Sequence, residues 1–210
     1  MKVFAVRVGD KYGIEYETYL KSKLDITFIN EDEHPFILQW NKMRFMEMDI
    51  NEHICVIDID IELLNDYEEL FNYPIKRGEF VGIKAWWKDT HNPNYSLNGG
   101  FYKYYPKDVK YIADKFRSDP KKWMNYYIDN GTTIGPVNGE QYFVEDSVKE
   151  RLELKFVPET WVTKWYDELS IKERAVANTM YPGEWLHLGE FNPDIKLVHY
   201  PNQGARNVEL

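Results

Sequence analysis

The chain is poor in cysteine. Its 210 residues include one, Cys55, inside the apolar run Ile54-Cys55-Val56-Ile57, so no disulfide can close within it. That usage suits a reducing compartment, and Cys55 reads as a small buried hydrophobe. Long apolar runs are missing too. No window approaches the ~20 apolar residues of a membrane-crossing helix. The opening residues 1–13 hold too short an apolar stretch for a secretory signal. The expectation is a cytoplasmic protein with no membrane span. Positive charge is also scarce: 26 Lys and Arg against 35 Asp and Glu leave a net charge of −9, and no basic run exceeds Lys121-Lys122. Binding along nucleic-acid phosphates requires clustered cations, which excludes nucleic acid as a main partner. There is no repeat, no low-complexity linker and no evident domain boundary, and the length suits one core.

Aromatic residues are abundant, at 16% with 16 Tyr and 7 Trp. They can fill a core, or they can face solvent and stack on sugar rings or bases; composition does not choose.

Hydrophobic periodicity gives an alternating pattern. Residues Lys2 to Val8 read as a buried strand ending at Gly9-Asp10. Tyr12, Tyr16, Tyr19, Leu20 and Leu24 fall on one helical face. Leu24 to Ile29 is a second strand, Leu38 to Met48 a helix, and His53 to Ile57 a third strand. That third strand lacks polar alternation, as in strands buried on both faces of a parallel sheet. Strand–helix–strand–helix–strand over sixty residues is the α/β pattern, which places ligands beyond the carboxyl ends of the strands. Later segments predict strands over Phe80 to Trp86, Phe101 to Tyr105, Leu152 to Val157 and Lys196 to Tyr200. Helices are expected after Pro106, around Lys122 to Ile128 and over Glu140 to Arg151. Gly131 to Gly139 reads as a loop, and Lys164 to Asn192 fits no single pattern.

The strongest chemical signal is Asp58-Ile59-Asp60, at the end of the third strand. Hard divalent cations take oxygen ligands, and two aspartates one residue apart on extended backbone point to the same side. A cation held there can neutralise a diphosphate leaving group. The competing reading is a helix cap or solvated turn. His199, near the C-terminus, can complete a carboxylate metal site or sit hydrogen-bonded at a strand end. Gly204-Ala205-Arg206 can bring backbone and guanidinium to a phosphate, or Arg206 is a solvated charge. Gly139-Glu140-Gln141 puts a carboxylate where the helix dipole favours it, or supplies a catalytic carboxylate. Lys42 lies near a diphosphate or simply snorkels beside a packed Trp40. Asn98-Gly99-Gly100 is a turn or a floor under a sugar. Trp86-Trp87 stacks on a sugar or fills the core. Tyr12 stacks on a base or belongs to its helix face.

Taken in order, Gly9-Asp10-Lys11-Tyr12, Trp40-Asn41-Lys42, Asp58-Ile59-Asp60, Asn98-Gly99-Gly100, Gly139-Glu140-Gln141 and His199-Tyr200-Pro201 resemble the small GT-A glycosyltransferases of bacteria, phages and large viruses. These are related to the glycogenin and galactosyltransferase group, and the likeness spans about residues 2 to 206. It implies a single Rossmann-like GT-A domain with a mostly parallel central sheet flanked by helices. Residues 1–60 would form the nucleotide-binding half, and 61–210 the acceptor side with a C-terminal metal and phosphate loop. It implies a sugar-nucleotide donor, commonly a UDP-sugar, a hydroxyl acceptor, Mn²⁺ or Mg²⁺, and host cytoplasm if the source is viral. By position, Val6, Gly9 and Tyr12 would line the nucleotide, and Lys42, Gly204 and Arg206 the phosphates. Asn98 and Gly99 would face the sugar, and Glu140 and Gln141 the anomeric carbon. Asp60 and His199 would ligate the metal, and Asp58 would serve metal, ribose and sugar. Glu140 stands where relatives carry Asp, and Arg206 where they carry Lys. Two other classes remain: a metal-dependent nucleotidyltransferase, for which Val8-Gly9-Asp10-Lys11 is a poor phosphate loop, and a non-catalytic carbohydrate-binding protein.

Overall fold

The computed structural model describes residues 1–87, 94–130, 139–165, 169–181 and 192–200. Strand β1 (Lys2–Val6) pairs in parallel with β2 (Ile26–Ile29) on one side and with β3 (Ile54–Ile57) on the other. Helix α1 (Ile14–Lys23) makes the first crossover and buries Tyr16, Glu17 and Leu20. Tyr12 lies ahead of the helix, but its ring still packs edge-on against Tyr16 at 5.0 Å between centroids, on the same side as Tyr19, Leu20 and Leu24.

The segment before β3 is a run of 3-10 turns over Leu38–Glu47. With three residues per turn, side chains at i and i+3 eclipse. Trp40, Met43 and Met46 have that spacing and are all fully buried. The chain enters this run through Leu38 with a φ of 46°, and its backbone N–H donates to Asp32 Oδ1 at 2.7 Å.

The main sheet continues with β5 (Glu79–Lys84), β6 (Leu97–Tyr104) and β7 (Glu153–Phe156), in the order β2-β1-β3-β6-β5-β7. Only β6 runs against the others: it pairs antiparallel with both β3 and β5, while β5 and β7 are parallel. The fully apolar β3 is buried on both faces as its sequence indicated, but one of its neighbours is antiparallel. Asn98, Gly99 and Gly100 lie inside β6, not ahead of it, at a register shift opposite Gly82 and Ile83. A Cβ at Gly82 would stand 2.3 Å from Leu97 Cδ1, so glycine lets the strands close there.

Both faces of the sheet are covered. Val3, Ala5, Cys55 and Ile57 belong to one core, on the α1 side. Phe4, Ile54, Val56, Tyr102 and Tyr104 belong to the other. The second core is closed by α3 (Pro106–Ser118), α4 (Pro120–Asp129) and α5 (Glu140–Arg151). Val109, Ile112, Ala113 and Phe116 form the inward stripe of α3, at the expected spacing. Aromatic residues fill both cores. Trp40 stacks on Phe116 at 4.7 Å between centroids. Trp86 and Trp87 are buried against each other, and Trp86 Nε1 donates to Val162 O at 2.7 Å.

A second sheet decides the site; of its strands only the last, expected over Lys196 to Tyr200, is legible in the sequence. Strands β4 (Ile61–Leu63), β8 (Val162–Lys164) and β9 (Leu197–His199) assemble in the order β4-β9-β8. Two further helices, α2 (Glu68–Asn72) and α6 (Ile171–Met180), were also missed by the pattern reading. Helix α6 carries a capping box from Ser170 and Glu173, a start signal present in the sequence. No helix among the described residues is long and apolar enough to cross a membrane.

Candidate functional site

β3 ends at Ile57, and the chain turns through Asp58-Ile59-Asp60 directly into β4. β4 pairs antiparallel with β9 so that Ile61 faces His199, and Tyr200 N donates to Asp60 O at 2.8 Å. This ladder carries a histidine from near the C-terminus to two aspartates at the carboxyl end of the central sheet. Asp58 N donates to Gly100 O at 3.1 Å, which ties the same turn to β6.

The three side chains converge. His199 Nε2 lies 3.4 Å from Asp60 Oδ1 and 3.8 Å from Asp58 Oδ2, and one donor atom from each residue lies within 4.8 Å of the others. Two carboxylates and an imidazole suit a small divalent cation. Neighbouring ligands of an octahedral ion with bonds of ~2.1 Å stand about 3 Å apart. The donor atoms must draw together to bind such an ion, and their number and type fit it.

These side chains border a cavity of about 480 Å³, at the carboxyl ends of β1 and β3. Val6 lines it from the end of β1, Gly9 and Tyr12 from the loop that follows, Lys42 from the 3-10 run, Gly99 from β6, and Glu140 and Gln141 from the start of α5. Gly9 has a φ of 83°, and a Cβ there would meet Leu38 Cδ2 at 3.3 Å. Asn98 is not among the lining residues: it is buried, and its Oδ1 accepts from Gly100 N at 2.8 Å. Gly204 and Arg206 lie outside the described residues.

Lys42 is the buried hub. Its ammonium contacts Asp58 Oδ1 at 2.5 Å and Glu140 Oε2 at 3.7 Å, and donates to Gly99 O at 2.8 Å. A Cβ at Gly99 would stand 3.1 Å from Lys42 Nζ, so glycine at 99 makes room for the charge. Burial pulls the lysine pKa down, and Asp58 and Glu140 more than reverse this, so Lys42 stays a cation. Glu140 accepts from Tyr102 OH at 3.3 Å, while its Oε1 is buried without a hydrogen-bond partner among the described residues. Burial raises the Glu140 pKa to about 7; Lys42 opposes the rise and Asp58 adds to it. Asp60 goes the other way. Burial alone would raise it, but the His199 ring and the Tyr12 hydroxyl, which donates to Oδ2 at 2.7 Å, hold it below the usual range. Burial and the Asp60 carboxylate together push the Tyr12 phenol far above its ordinary value. Gln141 Oε1 accepts from Gly99 N at 3.0 Å.

Four contributors receive no role from the sequence. Leu38, Gln39 and Tyr142 line the cavity, and Tyr102 donates to Glu140. Leu38 and Tyr102 carry no local signal, but Tyr142 directly follows Gly139-Glu140-Gln141.

No protein-family model matches the chain, and neither does any curated protein sequence. Solved structures do. The galactosyltransferase LgtC, in complex with donor and acceptor sugar analogs, is 10% identical with a TM-score of 0.58, over 96% of this chain and 87% of that one. The glycosyltransferase GlyE of Streptococcus pneumoniae is 10% identical with a TM-score of 0.57; 95% of this chain is covered, but only 54% of GlyE. A glycosyltransferase involved in glycosylation of the major capsid of PBCV-1 is 14% identical with a TM-score of 0.53, over 95% and 93% of the two chains. The fold is therefore the GT-A fold of glycosyltransferases, with a mostly parallel sheet and helices on its flanks.

Proposed function

We propose that this chain is a divalent-metal-dependent glycosyltransferase that moves a sugar from a nucleotide-sugar donor, a UDP-sugar by resemblance, to a hydroxyl acceptor. One observation carries the reading: Asp58, Asp60 and His199 converge at the mouth of the cavity, on a GT-A fold whose solved representatives are glycosyltransferases. The residues of 1–60 that line the cavity would take the nucleotide, and those of 61–210 the sugar and acceptor.

A bound Mn²⁺ or Mg²⁺ would supply a Lewis acid for the diphosphate leaving group. Asp60 and His199, with Asp58, would hold it. Val6, Gly9 and Tyr12 would border the nucleoside. Lys42 would place its fixed positive charge beside the phosphates. Gly99 would leave room for the sugar, with Asn98 fixing the backbone at Gly100. Gln141 has its carbonyl oxygen occupied by Gly99 N, so its amide nitrogen remains for the sugar. Glu140 Oε1 would meet a hydroxyl beside the reacting carbon. Gly204 and Arg206 would bind the phosphates through backbone and guanidinium. Transfer breaks the bond from the anomeric carbon to the diphosphate oxygen and forms one to the acceptor oxygen, whose proton passes to the departing diphosphate or, in an inverting reaction, to a carboxylate. The chain would work in the cytoplasm, of the host if its source is viral.

The test is release of nucleoside diphosphate from a panel of UDP- and GDP-sugars, with Mn²⁺, with Mg²⁺ and with EDTA. One donor should turn over in a metal-dependent way. Asp60→Ala should then cost about a hundredfold or more, since a metal and its ligands supply several kcal/mol at the transition state. A loss below about tenfold would overturn the assignment. A protein that binds sugars without nucleotide or metal would instead be a carbohydrate-binding module.

A further inference from the structure

We infer that Lys42 and Tyr12 make the metal site selective for a cation arriving with a diphosphate and unreceptive to the cation alone. The inference rests on the reading of Asp58, Asp60 and His199 as the metal ligands. Each of the four aspartate oxygens already faces a group of the protein. Asp58 Oδ1 holds the Lys42 ammonium at 2.5 Å, and Asp60 Oδ2 accepts from Tyr12 OH at 2.7 Å. Asp58 Oδ2 and Asp60 Oδ1 face His199 Nε2, at 3.8 and 3.4 Å. One of the two ligand charges is therefore matched by an internal cation.

Lys42 cannot easily move off. Its side chain is 4% exposed and its ammonium is held by Asp58, Gly99 O and Glu140. The Tyr102 ring lies along one side, 5.3 Å from Nζ. A divalent ion bound by Asp58 and Asp60 would sit near this fixed positive charge with little water to screen it. Two charges of one sign at such range in a protein interior weaken binding by roughly a hundredfold. A diphosphate reverses the balance. Its oxygens bring several negative charges, bind the ion directly, and give Lys42 an anion to face in place of a competing cation. The same lysine then favours the complex. Tyr12 adds a smaller effect of the same sense, because its hydroxyl occupies one oxygen of Asp60.

The experiment is Mn²⁺ binding, followed by calorimetry and by electron paramagnetic resonance, without nucleotide and with saturating UDP. Wild-type protein should bind Mn²⁺ at least about a hundredfold more weakly alone than with UDP. Lys42→Met should bind Mn²⁺ alone at least about tenfold more tightly than wild type, with a smaller gain from UDP. Tyr12→Phe alters no charge and removes one competing hydroxyl; it should shift Mn²⁺ affinity the same way by a few-fold. Should Lys42→Met fail to fold, the wild-type comparison and Tyr12→Phe still decide. Wild type that binds Mn²⁺ equally well with and without UDP overturns the inference, as do variants that both bind Mn²⁺ alone no better than wild type. If UDP and GDP fail to bind even with Mn²⁺, the nucleotide-sugar reading is what fails, and the variants' affinity for Mn²⁺ alone still judges the role of Lys42 and Tyr12.

Discussion

Glu140 carries a pH dependence that a single substitution isolates. Its carboxyl is 3% exposed, and burial raises its pKa to about 7 from an ordinary 4.5, with Lys42 opposing the rise and Asp58 adding to it. Between those two values the folded protein holds a proton that the unfolded chain has released, so unfolding stability falls as pH rises through that window. The contribution is intact below about pH 4.5 and fully lost above about pH 7. The gap corresponds to roughly 3 kcal/mol. Glu140→Gln is neutral at every pH and nearly the same shape. Its stability relative to wild type should therefore improve by roughly 3 kcal/mol between about pH 4.5 and pH 8. In a chain of this size that is a relative rise in Tm of roughly 6–12 °C. Any constant cost of the amide appears at both ends of the range and cancels. The assay is urea or thermal unfolding of both proteins across this range, with EDTA throughout so that no cation reaches Asp60. Stability curves that stay parallel would refute the reasoning, because Lys42 would then outweigh burial and Glu140 would be ionised in both states.

Two more predictions concern the glycines of the cavity. Gly9 has a φ of 83° and a Cβ there would stand 3.3 Å from Leu38 Cδ2; Gly9→Ala should lose about 1–2 kcal/mol in chemical denaturation, and unchanged stability would show that the loop can relax. A Cβ at Gly99 would stand 3.1 Å from Lys42 Nζ, so Gly99→Ala should cost about 1–3 kcal/mol. That cost should shrink by at least about 1 kcal/mol in a Lys42→Met background, where the side chain ends one atom short of the ammonium; additive effects would mean that Lys42 is not what the methyl meets.

The sequence by itself determined the frame around Asp58 and Asp60. Three apolar runs of strand length, separated by helical spacing, can only be buried as neighbouring strands with crossovers between them. That pattern is local, because both period 2 and period 3.6 are properties of a few consecutive residues. It placed Asp58 and Asp60 at a carboxyl end, and it found the α3 stripe at Val109, Ile112, Ala113 and Phe116 and the start of α5 at Glu140. It left two uses open for the aromatic residues, and packing settled Trp40, Trp86 and Trp87 as core. It could not distinguish the 3-10 run at Leu38–Glu47 from an α-helix, since apolar residues three apart serve either geometry.

Only the tertiary structure decided what stands beside those aspartates. His199 reaches them because β4, three residues long, pairs with β9 across more than half the chain. Strands that short have too few residues to show alternation, and their partners are chosen by burial and backbone hydrogen bonding, not by local pattern. The Lys42 ammonium is fixed in the same way. Its three partners, Asp58, Gly99 and Glu140, come from separate segments that the sheet and α5 bring together. The desolvation that raises Glu140 to about 7 exists only once that assembly has closed. Residue type and spacing supplied the candidate ligands; long-range burial supplied the distances and charges that bring them together.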